Sequence, residues 1–526
     1  MTGWLELTWW VLWVAAFGAA MGSFANVLVH RLPRGRVLTP LWSFCPLCER
    51  RILLRDNLPL VSFLLRRGRC RYCRGPISIR YPLIEAVTIL AFLLVFDGMF
   101  VAAVRPDITG KADFGLTDRV VGAWPMLVAH LALVAGLVVV SVIDLEEYWV
   151  DLRMIAAILV AGLIGHALWT PSGEGVWQPP GPATGAACFG ALAGLGVSLL
   201  CVRLLRPAPT AVGNTSLTDT EPVAEHGDAT EPCAAASEAA AQSQPLSCEK
   251  PVADVGSVEL PPLESGGQTA PPSAPDFRPM LLPAWLLALL TLGWLSCILL
   301  GELSRQTALT FWRRSSWVVG LLFAAEVLAS ARRRESDRAI VAAIEQEKHR
   351  ARSMALRELL FLVPAVALAA LAAYIAGLGF GGRLGWHSWY LWSAGDEWLP
   401  IAGLCRSLLG ALVAGGLGWA VRILFTFLLG KEAFGLGDVY IMAAAGAVAG
   451  WAVVILGFFA AALLALLGVL LLLVFKRSRA IPFGPWLSLG ILILVVAYRP
   501  LRDYLEPGLK GLAILTGLSS PSSLSN

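Results

Sequence analysis

Two aspartates and four cysteines are the residues of this chain whose placement could do chemistry. Asp144 ends the apolar run Leu131 to Ile143 with the step Val142-Ile143-Asp144, and Asp438 closes Gly435-Leu436-Gly437-Asp438 at the start of another apolar run. A carboxylate beside a long apolar stretch is unfavourable to bury, so two of them point to function. If they meet, an ionised carboxyl can activate water while a protonated one stabilises the oxygen of an attacked carbonyl. Like charges that close leave the pair sharing a proton. Gly435 and Gly437 would let the backbone bend tightly and let a substrate strand approach the carboxylate. A plainer reading makes Asp438 the N-cap of the next helix, a position aspartate favours.

The cysteines form Cys45-Pro46-Leu47-Cys48 and Cys70-Arg71-Tyr72-Cys73, separated by 21 residues. Paired CxxC elements offer four thiolates that can close a tetrahedral site, and structural Zn2+ is the usual occupant in a reducing compartment. Two disulfides are the alternative, which a cytoplasmic loop disfavours. Arg71 and its arginine neighbours would offset the charge of a four-thiolate centre. Cys188, Cys201, Cys233, Cys248, Cys297 and Cys405 show no ligand spacing, and those within apolar stretches read as small packing residues.

The elements that must position these residues are membrane helices. With 57% hydrophobic residues, 15% charged and a mean hydropathy of +0.69 over 526 residues, the chain is too apolar for a soluble enzyme. It reads as an all-α polytopic membrane protein with about 12 transmembrane helices and a small zinc-binding cytoplasmic domain near the N-terminus. Crossing about 30 Å of hydrocarbon takes roughly 17 to 25 residues. Such stretches lie near 6–29, 83–104, 124–143, 153–170, 183–204, 281–301, 316–331, 356–376, 401–428, 438–451, 452–475 and 483–499. The run from 438 to 475 is too long for one helix and is divided near Gly450-Trp451. The first 30 residues lack a charged start and a small-residue cleavage site, so they read as a span rather than a signal peptide.

Charge placement orients the spans. Residues 30–82 carry twelve arginines against Glu49 and Asp56, which places this loop in the cytoplasm. Counting crossings from there brings Asp144, Arg332-Arg333-Arg334, Asp438 and Lys476-Arg477-Ser478-Arg479 to the same side. Between 207 and 279 the composition turns to Ala, Pro, Ser, Glu and Thr with eleven acidic and two basic residues, which predicts a disordered acidic linker. Arg332 to Arg357 alternates charge and predicts a helical cytoplasmic extension. Gly190 to Gly194, followed by Val202-Arg203, echoes Gly410 to Gly415, followed by Val421-Arg422; helix packing through small residues accounts for both, as would a partial duplication.

Several of these segments together resemble a family. Gly22-Ser23-Phe24-Ala25-Asn26-Val27, Arg31-Leu32-Pro33, Asp56-Asn57-Leu58-Pro59, Arg66-Arg67-Gly68-Arg69-Cys70 and Pro76-Ile77-Ser78-Ile79-Arg80-Tyr81-Pro82-Leu83-Ile84-Glu85 are similar to the N-terminal region of bacterial prepilin peptidases, the GxGD type IV leader peptidases. The resemblance resumes at Ile143-Asp144, at Gly430-Lys431-Glu432 with the GxGD element, and at Ile481-Pro482-Phe483-Gly484-Pro485. It covers roughly 1–170 and 400–500. It implies an aspartic endopeptidase of the bacterial cytoplasmic membrane with Asp144 and Asp438 as catalytic pair, Gly435 and Gly437 supporting the loop, and Cys45, Cys48, Cys70 and Cys73 on zinc. The implied substrates are type IV prepilins and type II secretion pseudopilins, with N-methylation of the mature terminus from S-adenosylmethionine at residues that cannot be read off. Implied partners are membrane lipid and pilus or secretion assembly proteins, with no nucleic acid.

The chain also departs from that pattern. Asp144 to Asp151 is one residue shorter than the usual first motif, with Val150 where proline is expected, so Glu146, Glu147 and Asp151 compete with Asp144 for the dyad. Tyr440 stands where lysine is common. The expected organisation is a first helix at 1–29, a zinc-binding domain at 30–82 and helices carrying the first aspartate at 83–170. An insertion with four extra spans follows at 171–399, then a peptidase core at 400–500 and a tail at 501–526. Glu146 and Glu147 are the acids expected to face a basic leader. A transporter with intramembrane carboxylates, or a catalytically inactive pilus-assembly protein, are the competing readings.

Overall fold

The computed structural model describes residues 2–35, 43–45, 47–53, 56–109, 115–169, 180–205, 307–331, 336–377, 386–390, 399–432, 434–474 and 482–515. The chain divides into one unit made of Met1–Leu204 with Asp276–Asn526 and a second of Leu205–Pro275. The acidic linker expected over 207–279, the span expected over 281–301, Cys233, Cys248, Cys297 and the basic cluster 476–479 lie outside the described residues.

Long apolar sequences fold as helices in hydrocarbon because only a helix satisfies its own backbone groups. The helices are α1 (Thr2–Arg31), α2 (Val61–Leu65), α3 (Arg80–Phe96), α4 (Pro106–Thr109), α5 (Leu116–Gly122), α6 (Trp124–Glu147), α7 (Leu152–Leu168), α8 (Pro182–Leu205) and α9 (Thr307–Ala331). They continue as α10 (Ser336–Gly377), α11 (Trp386–Tyr390), α12 (Pro400–Leu429), α13 (Leu436–Ala449), α14 (Trp451–Val474) and α15 (Gly484–Leu515). Each expected span other than 281–301 falls on one of these. Among the described residues, seven helices are long and apolar enough to cross a membrane, and Leu152–Leu168, Leu436–Ala449 and Gly484–Tyr498 are shorter apolar helices. α9 is in neither set.

The break expected near Gly450 is present. α13 ends at Ala449, and Gly450 takes φ 91°, a conformation other residues rarely adopt, before α14 starts at Trp451. The expected cytoplasmic extension and the span after it form one continuous helix, α10, of 42 residues. The two small-residue echoes have separate packing partners. A Cβ on Gly410 would lie 2.0 Å from the Gly446 carbonyl oxygen, so α12 and α13 cross backbone to backbone, whereas Gly190 and Gly194 meet Leu368 and Pro364 of α10.

One buried ion pair ties α9 to the core. Asp97, in a π-helical turn that extends α3, receives two hydrogen bonds from Arg314 Nη2, at 2.8 and 3.0 Å, and one from Nε at 3.2 Å. Both side chains are buried. Removing one partner of such a pair leaves an uncompensated charge, whereas replacing both with apolar groups is often tolerated. Arg314→Ala is therefore expected to destabilise the detergent-solubilised protein by about 3 kcal/mol, seen as a lowered Tm. Asp97→Leu with Arg314→Met should recover most of that loss, and an Arg314→Ala protein with unchanged Tm would refute the role of this pair.

Candidate functional site

Three helix ends converge on one point. Asp144 lies in the last turn of α6, Asp438 in the first turn of α13, and Gly484 opens α15. A methyl group at Gly484 would stand 2.6 Å from Asp144 Oδ2 and 3.4 Å from Asp438 Oδ1. Those two carboxyl oxygens are therefore no more than about 6 Å apart, within the range of strong mutual charge effects. Asp144 and Asp438 are 8% and 9% exposed, so both carboxyls face a restricted, poorly hydrated space.

The local chain explains how each carboxyl is held. α6 ends where Tyr148 takes the left-handed conformation at φ 54°, with its N–H on the Asp144 carbonyl oxygen. Asp438 is not the N-cap of α13. Gly435 holds that position, and Asp438, three residues on, hydrogen-bonds back to the Gly435 backbone N–H, as the acid of a capping box does. Gly435 has an ordinary extended φ of −67°. Gly437 is needed for close approach by this chain itself, because a Cβ there would lie 2.5 Å from Val150 Cγ2. The valine in place of the expected proline thus packs on the residue preceding Asp438.

Two of the three other acids near the first motif are engaged elsewhere. Asp151 is buried as the N-cap of α7, accepting from the Arg153 backbone at 2.7 Å and pairing with its guanidinium at 2.7 Å. Burial alone would raise its carboxyl, but the Arg153 hydrogen bonds outweigh it and hold the group below the usual range. Glu146 is ion-paired with Arg80. Glu147 is exposed.

The four cysteines come together as a pair of matching turns. Isolated bridges join Phe44 to Arg51 and Arg69 to Pro76, each flanking one CxxC. Cys45 donates its N–H to Arg50 and receives that of Glu49; Cys70 does the same with Gly75 and Arg74. Glu49 and Arg74, one residue past each CxxC, both have φ 55°. All four Sγ atoms lie within 4.8 Å of one another, and Cys45 and Cys73 are 3.9 Å apart. A tetrahedral zinc thiolate centre needs sulfur separations of about 3.8 Å, so the group fits a metal. Burial pushes the Cys45 thiol up to about 11, whereas Cys70, although burial acts to raise it, is brought down to about 7 by the Cys73 and Tyr72 N–H groups. Arg71, expected to offset the cluster's charge, instead shares Asp56 with Arg66.

Between these turns and the membrane helices lies a cavity of about 570 Å³, lined in part by Asn26, Phe44, Arg66, Tyr72 and Arg80. Asp56 and Glu85, also at its wall, fix the loop: Glu85 Oε2 accepts from the Leu60 N–H at 2.8 Å. Residues the sequence reading left without a role are thus Gly484 and Glu85, and their only signal was position inside the recognised segments.

Comparisons with known proteins agree with the segments read from the sequence. Residues 16–98 match the family described as Bacterial Peptidase A24 N-terminal domain. The chain is 34% identical over 170 residues to the type 4 prepilin-like proteins leader peptide-processing enzyme of Escherichia coli O78:H11 (strain H10407 / ETEC), covering 29% of this chain and 54% of that protein. It is 33% identical over 177 residues to the prepilin leader peptidase/N-methyltransferase of Pectobacterium carotovorum subsp. carotovorum, covering 30% and 56%. With its counterpart in Klebsiella pneumoniae the identity is 46% over 91 residues, covering 16% and 40%. The chain thus spans about half the length of the curated relatives it matches. No solved structure matches it. The resemblance to bacterial prepilin peptidases is supported, and the apolar helices make this a multi-pass membrane protein.

If the four thiols form one metal site, Cys45→Ser or Cys70→Ser should strip the metal from protein purified in detergent, as measured by elemental mass spectrometry. Undiminished metal content in both variants would exclude the site.

Proposed function

We propose that this chain is an aspartic endopeptidase of the bacterial inner membrane that removes the leader from type IV prepilins and type II secretion pseudopilins at the cytoplasmic face. Asp144 and Asp438 are its dyad, and Gly435, Gly437 and Gly484 shape the surrounding loop. The observation that carries this reading is the convergence of two buried carboxyl oxygens on Gly484 from helices nearly 300 residues apart in sequence. Two of the competing acids of the first motif, Asp151 and Glu146, are held by Arg153 and Arg80.

The chemistry follows from that geometry. Two carboxyls this close favour a shared proton, so one can take a proton from water as the other donates a hydrogen bond to the scissile carbonyl. Gly484 leaves room where any side chain would touch Asp144, so the peptide backbone can enter between the carboxyls. An apolar substrate helix would lie in the membrane with its basic leader in the cytoplasm. Glu147 faces that leader, since Glu146 is already paired. A transporter places its ionisable residues near mid-membrane, whereas these acids stand at helix ends.

The cysteine turns hold a structural Zn2+ that closes the 30–82 domain, with Cys45, Cys48, Cys70 and Cys73 as ligands. Methylation of the new amino terminus would draw on S-adenosylmethionine, which supplies an electrophilic methyl group. The cavity beneath the cysteine turns is the candidate place for such a molecule, with the Tyr72 and Phe44 rings available to an adenine face.

Co-expression with a prepilin tests the peptidase. Asp144→Asn and Asp438→Asn are expected to abolish cleavage, and Gly484→Ala to reduce it at least about 100-fold, because misplacement of catalytic groups by about 1 Å costs that much. Normal processing by either asparagine variant would overturn the dyad. Mass spectrometry of the processed amino terminus tests the second activity. Tyr72→Ala is expected to lower the methylated fraction while cleavage persists, and an unmethylated wild-type product would remove the methyl-transfer reading.

A further inference from the structure

The segment 171–399 has no place in the resemblance, yet one of its side chains reaches the loop that carries Asp438. α12 ends at Thr426 to Gly430, where Gly430 turns at φ 63°, and five residues later Gly435 starts α13. Arg422, in the last two turns of α12, is buried and points its Nη1 at two groups of that connection, the Glu432 carboxylate and the Phe434 backbone carbonyl. Phe434 precedes Gly435, whose own N–H holds the Asp438 carboxyl. A guanidinium buried in an apolar bundle needs anions around it. Glu432 is one. The other is Glu358 of α10, whose Oε1 and Oε2 each accept from Arg422 Nε at 3.1 Å, and whose Oε2 also accepts from Trp419 Nε1 at 3.0 Å.

The contacts form a chain of fixed orientations. Trp419 and Arg422 together set the plane of the Glu358 carboxylate. That carboxylate fixes the edge of the guanidinium carrying Nε, which determines where Nη1 points. Nη1 fixes the Phe434 carbonyl and so the entry of the backbone into Gly435. Without Glu358, the anion left to Arg422 among those shown is Glu432, which belongs to the loop being held. An anchor must come from outside that loop, and Glu358 of the helix α10 supplies it.

We propose that Glu358 is a positioning residue for Asp438, so that the inserted helix α10 is a working part of the peptidase centre. The catalytic half of this statement rests on the dyad assigned above; the mechanical half does not.

Two measurements on the full-length protein in detergent separate them. In Glu358→Ala, hydrogen exchange of the backbone amides in 430–436 should accelerate at least about tenfold, with exchange in α6 unchanged, because local opening of that connection becomes easier. In a prepilin cleavage assay the same variant should lose about 10 to 100-fold in kcat with little change in KM. Glu358→Gln, whose amide oxygen still accepts from Arg422, should recover most of both signals. The effects of Glu358→Ala and Arg422→Ala should be strongly non-additive. Unchanged exchange at 430–436 would overturn the proposal whatever the activity. So would additive effects, or a kcat loss matched by an equal loss of folded protein. Accelerated exchange in a chain whose cleavage is indifferent to Asp438→Asn would instead leave the anchor standing and remove the dyad.

Discussion

The rest of this structure depends on bringing two carboxyls together at the edge of an apolar bundle. Each is unfavourable there alone, and side by side they repel. Only a scaffold that is rigid on both sides can hold them, and helix ends provide it. α6 arrives at the site, α13 and α15 depart from it, and the glycine that opens α15 leaves the gap between the carboxyls unfilled. The tight α12–α13 crossing at Gly410 and Gly446 keeps the second carboxyl's helix from sliding, since neither backbone has side-chain bulk to adjust against.

Several buried ions in the described core meet an opposite charge. Arg314 of α9 meets Asp97 beyond α3, Arg422 of α12 meets Glu358 of α10, and Asp151 meets Arg153 at the start of α7. Two of these pairs join the expected insertion to the flanking segments. An insertion attached by apolar contact alone could drift along its neighbours, because lipid tails are as apolar as leucine. A charge pair has one position, so these contacts give the added helices a register.

Much of this was legible in the sequence, and the limits have physical causes. Span positions follow from run length, and the break at Gly450 from a run too long for one helix. The cysteine cluster follows from local spacing, since each CxxC turn is built within eight residues. What periodicity could not give is which distant groups touch. The plainer reading of Asp438 as a helix cap rests on a positional preference of aspartate, but Gly435 takes that position and the carboxyl reaches back to it. Asp151 competed with Asp144 on motif spacing, and its pairing with Arg153, together with the approach of Asp144 and Asp438 to Gly484, separates them. Gly484 and Glu358 matter through contacts with residues far from them in the chain, and no window of sequence contains both ends of such a contact.

The cysteine-bearing loop is joined to the same end of the bundle by contacts that pass close to the first aspartate. Asp56 gathers Arg66 and Arg71 next to the second CxxC turn, and Glu85 in the first turns of α3 holds the Leu60 backbone. Arg80, at the start of α3, pairs with Glu146, two residues beyond Asp144. A shift of the loop is therefore felt at the end of α6 through Arg80. A metal held by the four thiols would close the two turns, which precede the start of α3 in the chain. The same connection places the wall of the cavity near Asp144, because Arg80 lines the cavity and pairs with Glu146. One end of the bundle thus collects the loop, the cavity and both carboxyls, and this is why changes in 30–82 should register in the geometry around Asp144 before they register in the distant half of the membrane domain.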